Sequence, residues 1–184
     1  GYNGHPDITN VNYPTNYSLG DDIFINATVS SADSVFLNFR FGDNMKFTSI
    51  TMLDDGNNND GLPNDGIFGA KISNTCNKID FYVYAENNIA GEFSPARAAF
   101  EYYSVNVNLP VSSIVINELM SNNVSAVEDP AGETDDWIEL YNSTSSYINV
   151  EDLFLSDTST NLFKWQLPSI AIEPDGYYII WADE

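Results

Sequence analysis

The chain has 184 residues, with six Lys and Arg against 27 Asp and Glu, for a formal net charge of −21. That balance argues against nucleic acid and anionic membrane surfaces as partners, because a polyanion is repelled by the whole surface. Hydrophobic residues make up 43% and aromatics 14%, which is enough to build cores, so the disorder common in acidic chains is excluded and the acid excess belongs to folded surfaces and loops.

Gly1-Tyr2-Asn3-Gly4 has no signal-peptide character. The first clear element is a strand over residues 23–30, where Ile23, Ile25, Ala27 and Val29 share one face and Phe24, Asn26, Thr28 and Ser30 the other. Val35, Leu37, Phe39 and Phe41 repeat the alternation against Phe36, Asn38 and Arg40. A period of two in β-branched and aromatic residues is the signature of a half-buried strand.

The loop from Leu53 to Ile67 comes next: Asp54-Asp55-Gly56-Asn57-Asn58-Asn59-Asp60-Gly61-Leu62-Pro63-Asn64-Asp65-Gly66, with no Lys, Arg, His or Cys. Carboxylates this close repel one another unless a cation joins them. Calcium takes about six to eight oxygen ligands, and alternate residues of a tight loop can supply them. The expected ligands are Asp54, Asp55, Asp60 and Asp65. An EF-hand is rejected: Asp55, Asn57 and Asn59 have its opening spacing, but Asp60 stands where Gly is needed and Gly66 where Glu is needed. The competing reading is that these Asp and Asn residues cap turns through the backbone while Gly takes positive φ. Both stay open on the sequence alone.

Ile79, Phe81, Val83 and Ala85 mark another strand, before a turn over 86–91, and residues 100–107 read as the last strand of a first unit. Cys76 is the sole cysteine, so no intrachain disulfide forms. Bound calcium would replace it as a loop staple in an extracellular protein. Asn108-Leu109-Pro110-Val111 reads as a linker, giving units at 1–108 and 111–184. The second unit carries strands over 114–119, 136–142, 148–155, 164–167 and 177–182. No run of about 18 apolar residues exists to span a membrane. Helical periodicity is nearly absent, and the fold class is all-β: two sandwiches in tandem.

Other candidate chemistry is thin. Asp129, Glu133 and Asp135 could hold a second cation, although a solvated acidic loop explains them better. Glu118 and Glu139 could face each other as glycosidase carboxylates do, but a structural role suits them better. His5 is the only histidine, which leaves a Ser-His-Asp triad and a zinc site without candidates. No Gly-rich phosphate loop precedes a helix. Exposed aromatics could stack on sugar rings, with Tyr82, Tyr84, Tyr102, Tyr103, Trp137, Trp165 and Trp181 as candidates; filling a core is the ordinary use of such residues. The Asn-x-Ser/Thr matches at Asn16, Asn26, Asn123 and Asn142 carry little weight in a chain rich in these residues.

Ile114-Val115-Ile116-Asn117-Glu118-Leu119, Asp136-Trp137-Ile138-Glu139-Leu140-Tyr141-Asn142, Leu153-Phe154-Leu155-Ser156-Asp157, Lys164-Trp165 and Ile172-Glu173-Pro174-Asp175-Gly176 occur in the order that resembles the lamin-tail domain. That family is an immunoglobulin-like β-sandwich found in nuclear lamins and in secreted bacterial multidomain proteins. The resemblance covers 111–184. It implies further strands after Trp181-Ala182-Asp183-Glu184, hence an open sheet edge that a second chain completes. Asp54, Asp55, Gly56, Asp65, Gly66 and Ala85 carry a resemblance to immunoglobulin-like or fibronectin-III-like modules of bacterial surface proteins. Together they imply a non-catalytic structural, adhesion or spacer module, secreted or at the cell surface and stabilised by calcium. Its partners would be neighbouring domains of the parent protein, another chain or a glycan. A carbohydrate-binding module, or an accessory region of a secreted hydrolase or nuclease, is the alternative.

Overall fold

A computed structural model describes residues 4–73 and 75–182; Gly1, Tyr2, Asn3, Asn74, Asp183 and Glu184 lie outside the described residues. All regular structure within them is β-strand, arranged as antiparallel sheets in a sandwich-type fold.

The first half contributes β1 (Asp7–Asn12), β2 (Ile23–Ser30), β3 (Ser34–Arg40), β4 (Thr48–Met52), β5 (Ile67–Ile72), β6 (Lys78–Glu86), β7 (Gly91–Ser94) and β8 (Tyr103–Asn106). One sheet runs β1-β2-β5; the facing sheet runs β4-β3-β6-β7, with β8 also paired to β6. The alternation in the sequence decides which face is buried. Ile23, Ile25, Ala27 and Val29 of β2 meet Val35 and Leu37 of β3 and Ile79, Phe81, Val83 and Ala85 of β6 in one cluster. Phe81 is fully buried between the rings of Tyr13 and Tyr103, with centroids 5.1 and 5.2 Å away.

The second half contributes β9 (Ile114–Met120), β10 (Asp136–Asn142), β11 (Ile148–Asn149), β12 (Phe154–Leu155), β13 (Trp165–Gln166), β14 (Ala171–Ile172) and β15 (Tyr177–Ala182). The main sheet is β15-β10-β9, and the short ribbons β11-β14 and β12-β13 cover part of one face. Leu140, Ile148, Val150, Leu167, Ile172 and Ile180 form its core.

Three expected strands are shorter than their sequence pattern, residues 164–167 yielding only β13. Residues 148–155 divide into β11 and β12 because the Asn149 carboxamide takes the Glu151 N–H (2.9 Å) and Leu153 N–H turns back to Val150 O (2.9 Å). Residues 100–107 yield only β8, since Phe100 and Glu101 N–H both turn back to Arg97 O at 2.8 Å.

The halves meet along a polar seam centred on the β11–β14 ribbon, where Asn149 pairs with Ala171. Asn77 grips the outward peptide groups of Asn149: its Oδ1 accepts the Asn149 N–H (2.7 Å) and its Nδ2 donates to Asn149 O (2.9 Å). Asn44 does the same for Ala171, accepting its N–H (2.9 Å) and donating to its carbonyl (3.1 Å). Side-chain amides thus occupy both ribbon edges as neighbouring strands would. Asn149 returns a bond through Nδ2 to Phe41 O (2.7 Å), and Asp43 N–H reaches Ser169 O (2.9 Å). Lys78 pairs with Glu151 across the same seam. Its hydrogen bond holds the Glu151 carboxyl below the usual carboxylate range. Buried in this seam, Cys76 has its thiol pushed up to about 11 by desolvation.

Candidate functional site

The acidic loop joins β4 to β5 and is closed at its base by Leu53 and Gly69, which exchange backbone bonds of 2.9 and 2.8 Å. Its carboxylates serve the backbone. Asp54 accepts from Asp65 N–H (3.1 Å) and Gly66 N–H (2.9 Å) through its two oxygens. Asp65 accepts from Leu62 N–H (2.8 Å) and Ile67 N–H (3.0 Å), and Asp55 from Asn57 N–H (3.1 Å). Asp60 takes the N–H groups of Asp55 (2.8 Å) and Gly56 (3.2 Å) with Oδ2. This is the turn-capping use of Asp, whose short side chain reaches backbone donors a few residues away.

Backbone geometry selects the remaining loop residues. Asn58, Asn59 and Asn64 sit at positive φ, which Asn tolerates better than other side chains. Gly61 has φ +86°, and a Cβ there would lie 2.4 Å from Asp65 Oδ2. Asn59 O is tied to β2 by Asn26 Nδ2 at 2.9 Å.

Within this loop Asp60 differs from its neighbours. It is fully buried, and its Oδ1 has no hydrogen-bond partner among the described residues. Burying half a carboxylate without compensation is costly unless something positive joins it. The four aspartates do not converge on one point, and no group of three or more His, Cys, Asp or Glu among the described residues could hold a metal. The oxygen chemistry suits calcium at Asp60, but most of the coordination would have to come from backbone carbonyls and water rather than from Asp54, Asp55 and Asp65.

The second acidic loop is likewise bonded internally. Asp129 Oδ1 accepts from Ala131 N–H (2.9 Å) and Glu133 N–H (2.8 Å), while Glu133 itself is exposed. Asp135 gives its carbonyl to Asn123 Nδ2 (2.8 Å). Asn123 is buried and organises this loop, and Asn142 is buried with bonds to Ser146, Ile172 and Glu173 carbonyls, so neither amide is open to glycan attachment in the folded chain. Glu118 and Glu139 are cross-strand partners, as their positions suggested, and Asn117 Nδ2 donates to Glu139 Oε1 at 2.7 Å.

The aromatic candidates separate into three places. Tyr103 packs in the first core and Trp137 is buried, so both do the ordinary work of large apolar side chains. Tyr82, Tyr84 and Tyr102 belong to a file of rings on the outer face of the β4-β3-β6-β7 sheet. Trp165 and Trp181 line a groove in the second half with Ile116, Leu119, Ile138 and Ile180.

That groove exists because the cover over the β15-β10-β9 sheet stops short of β9. Leu119 stands opposite Ile138, and Ile138 opposite Ile180, so all three share a face. Ile180 is buried by the ribbons, while Leu119 is 66% exposed and Ile116 59%. A bulge between Glu139 and Leu140 keeps Ile116 on the same face as Leu119 despite their odd spacing. β9 and β15 are the sheet's two edges, and neither has an outer strand partner among the described residues. The sequence pattern marked β9 as a strand but gave no sign that its apolar side would be uncovered.

These features define an all-β protein of sandwich type. Compared with known proteins, the chain matches no family model, no curated protein and no solved structure. No helix among the described residues is long and apolar enough to cross a membrane.

Proposed function

We propose that the chain is a non-catalytic docking and spacing module of a secreted or surface-attached multidomain protein, built of an immunoglobulin-like unit and a lamin-tail-like unit. The observation that carries the docking role is the apolar groove beside the open β9 edge. Exposed contiguous apolar surface of this kind marks an interaction site, and an unpaired edge supplies main-chain hydrogen bonds to an added strand. Its occupant is an extended segment of a partner, with apolar residues on one face and Lys or Arg on the other. Basic character follows from the acidic surroundings: Glu118 lies on β9, and Glu128, Asp129 and Glu133 lie in the β9–β10 loop. A second copy is disfavoured, since each copy carries a formal charge of −21.

The probe is a synthetic peptide of alternating valine and lysine, titrated while the fluorescence of Trp165 and Trp181 is followed. A saturable spectral shift is expected with this peptide, and none with alternating valine and glutamate. Leu119→Glu should abolish the shift. Because that change adds negative charge, a response preserved or strengthened in the variant would show mere charge attraction and overturn the docking reading, as would no response in the parent chain.

Calcium is a second element of this reading, and the buried, unpartnered Asp60 Oδ1 favours it. Extracellular calcium modules bind at about 0.1–1 mM, so about 10 mM calcium should add roughly 1.5–3 kcal/mol of stability. The melting temperature should therefore rise by several degrees on going from EDTA to calcium, and Asp60→Asn should remove most of that rise. Equal melts in the two conditions would remove the metal.

A further inference from the structure

The outer face of an antiparallel sandwich sheet is normally polar, and here it is not. Phe36 and Tyr84 are cross-strand partners on β3 and β6, and Tyr84 pairs in turn with Phe93 on β7. Ring contacts then run from Phe36 to Tyr84 (6.4 Å), Phe93 (4.6 Å), Tyr82 (6.0 Å), Phe47 (5.0 Å) and Tyr102 (6.0 Å). The file turns its back on the core, since the inward residues of the same strands are Leu37, Phe81 and Val83. Beside it lies a depression of about 540 Å³, floored by Phe47, Tyr82 and Phe93 and walled by the 96–100 segment, including Arg97 and Phe100. Phe100 is 79% exposed at its rim.

Three properties of this face select its ligand. The first is charge: both arginines near the rings are matched by carboxylates. Arg40 lies over the Phe47 and Tyr102 rings, 4.8 and 5.0 Å from their centroids, and pairs with Asp43 and Asp80. Arg97 pairs with Glu101, and the Tyr84 hydroxyl donates to Glu86. Neither arginine is left over for an acidic ligand, and the chain as a whole repels polyanions. The second is the ring faces, whose negative quadrupole attracts weakly positive hydrogens, such as those on the C–H side of a sugar ring. The third is the polar inventory. Asn38 and Tyr82 are cross-strand partners, and neither the Asn38 carboxamide nor the Tyr82 hydroxyl has a hydrogen-bond partner among the described residues. An amide and a hydroxyl without partners, placed between stacking rings, can exchange bonds with the hydroxyls around a sugar's rim. Apolar lining with a few placed polar groups is the usual make-up of a ligand site.

We propose that this face binds a neutral polysaccharide, with Tyr82 and Phe93 stacking on sugar rings and Asn38 bonding their hydroxyls. The site lies on the first half, away from the β9 groove, so it stands or falls independently of the docking role. Calorimetric titration with the hexasaccharides of cellulose, xylan, starch, chitin and β-1,3-glucan tests it, with alginate as the acidic counterpart and a proline-rich peptide as the competing aromatic-face ligand. At least one neutral hexasaccharide should bind and alginate should not. Tyr82→Ala and Phe93→Ala should each weaken that binding tenfold or more. Tyr82→Phe should weaken it less, because the ring is kept, and unchanged melts of these partly exposed positions would show that the variants fold. Absence of binding across the neutral panel, binding undiminished by Tyr82→Ala and Phe93→Ala, or capture of the proline-rich peptide alone would overturn the proposal.

Discussion

Phe81→Ala is expected to cost about 3–5 kcal/mol, the range for removing a fully buried aromatic side chain whose site cannot collapse. Collapse is hindered here on two sides. The Tyr13 ring meets Phe81 edge-on, the Tyr103 ring lies nearly parallel to it, and the two tyrosines already brace each other at 5.6 Å. Tyr103 is further held through its hydroxyl, which lies 2.8 Å from Ser94 Oγ on β7. At about 2–4 °C per kcal/mol for a chain of this size, the melting temperature should fall by roughly 6–20 °C. Thermal unfolding followed by circular dichroism measures it. Loss of less than about 1 kcal/mol would mean that the core of the first half is not packed around this ring.

Asn149→Ala should cost about 2–4 kcal/mol, by a different mechanism. The carboxamide holds Phe41 O, Ser169 Oγ and Glu151 N–H at 2.7, 3.2 and 2.9 Å. Alanine leaves Phe41 O buried without a partner and releases the half-buried Glu151 N–H, while Ser169 Oγ keeps Lys78 at 3.4 Å; each unsatisfied buried group costs about 1–3 kcal/mol. Since Phe41 belongs to the first core and Glu151 to the second half, the loss falls on the seam. Scanning calorimetry should therefore show the parent chain unfolding in one transition and the variant broadening toward two. A variant that remains one sharp transition at an unchanged temperature would show that the seam contributes nothing to cohesion.

Which parts of this architecture could be read from the sequence follows from how local the signal is. β2, β3 and β6 were legible because their inward residues alternate without interruption, as in Ile79, Phe81, Val83 and Ala85. β1, β4 and β5 were not: Asp7–Asn12 and Thr48–Met52 are polar edge segments, and β5 is interrupted by Gly69 and Ala70. Their strand character comes from partners, since β5 is zipped along its whole length to β2. β14, only two residues long, depends likewise on Ile148 and Asn149 opposite.

The acidic loop shows the same division. Its turn chemistry was visible in the Asp-Gly and Asn-Asn steps, whereas the orientation of each carboxylate was not, because it depends on which N–H groups the folded turns present. Burial of Asp60 had no signal in the local pattern. The aromatic file was legible as residues and illegible as a surface. Tyr82 and Tyr84 alternate with Phe81 and Val83, so one set must face out, but Phe47, Phe93 and Tyr102 join them only through tertiary structure. The seam left no trace at all, since Asn44 and Asn77 look like any loop asparagines until β14 lies beside them.

The seam also fixes an order of assembly. Asn44 finds its partner in Ala171, 127 residues further along the chain, and Asn77 finds its own in Asn149, 72 residues further. Contacts this distant in sequence form late, after the closure entropy of the intervening chain has been met. During synthesis most of the first hydrophobic cluster can close, all of it but Ala171 and Tyr147 lying in the first half, while Asn44, Asn77 and Phe41 O still face water. Only the arrival of β11 and β14 dries them. A chain halted before Ala171 would thus keep that flank wet, with its hydrogen-bonding groups unpaired. Such an intermediate invites the wrong edge to pair, and the strong negative charge shared by all copies would keep the flanks of neighbouring chains apart while the second half arrives.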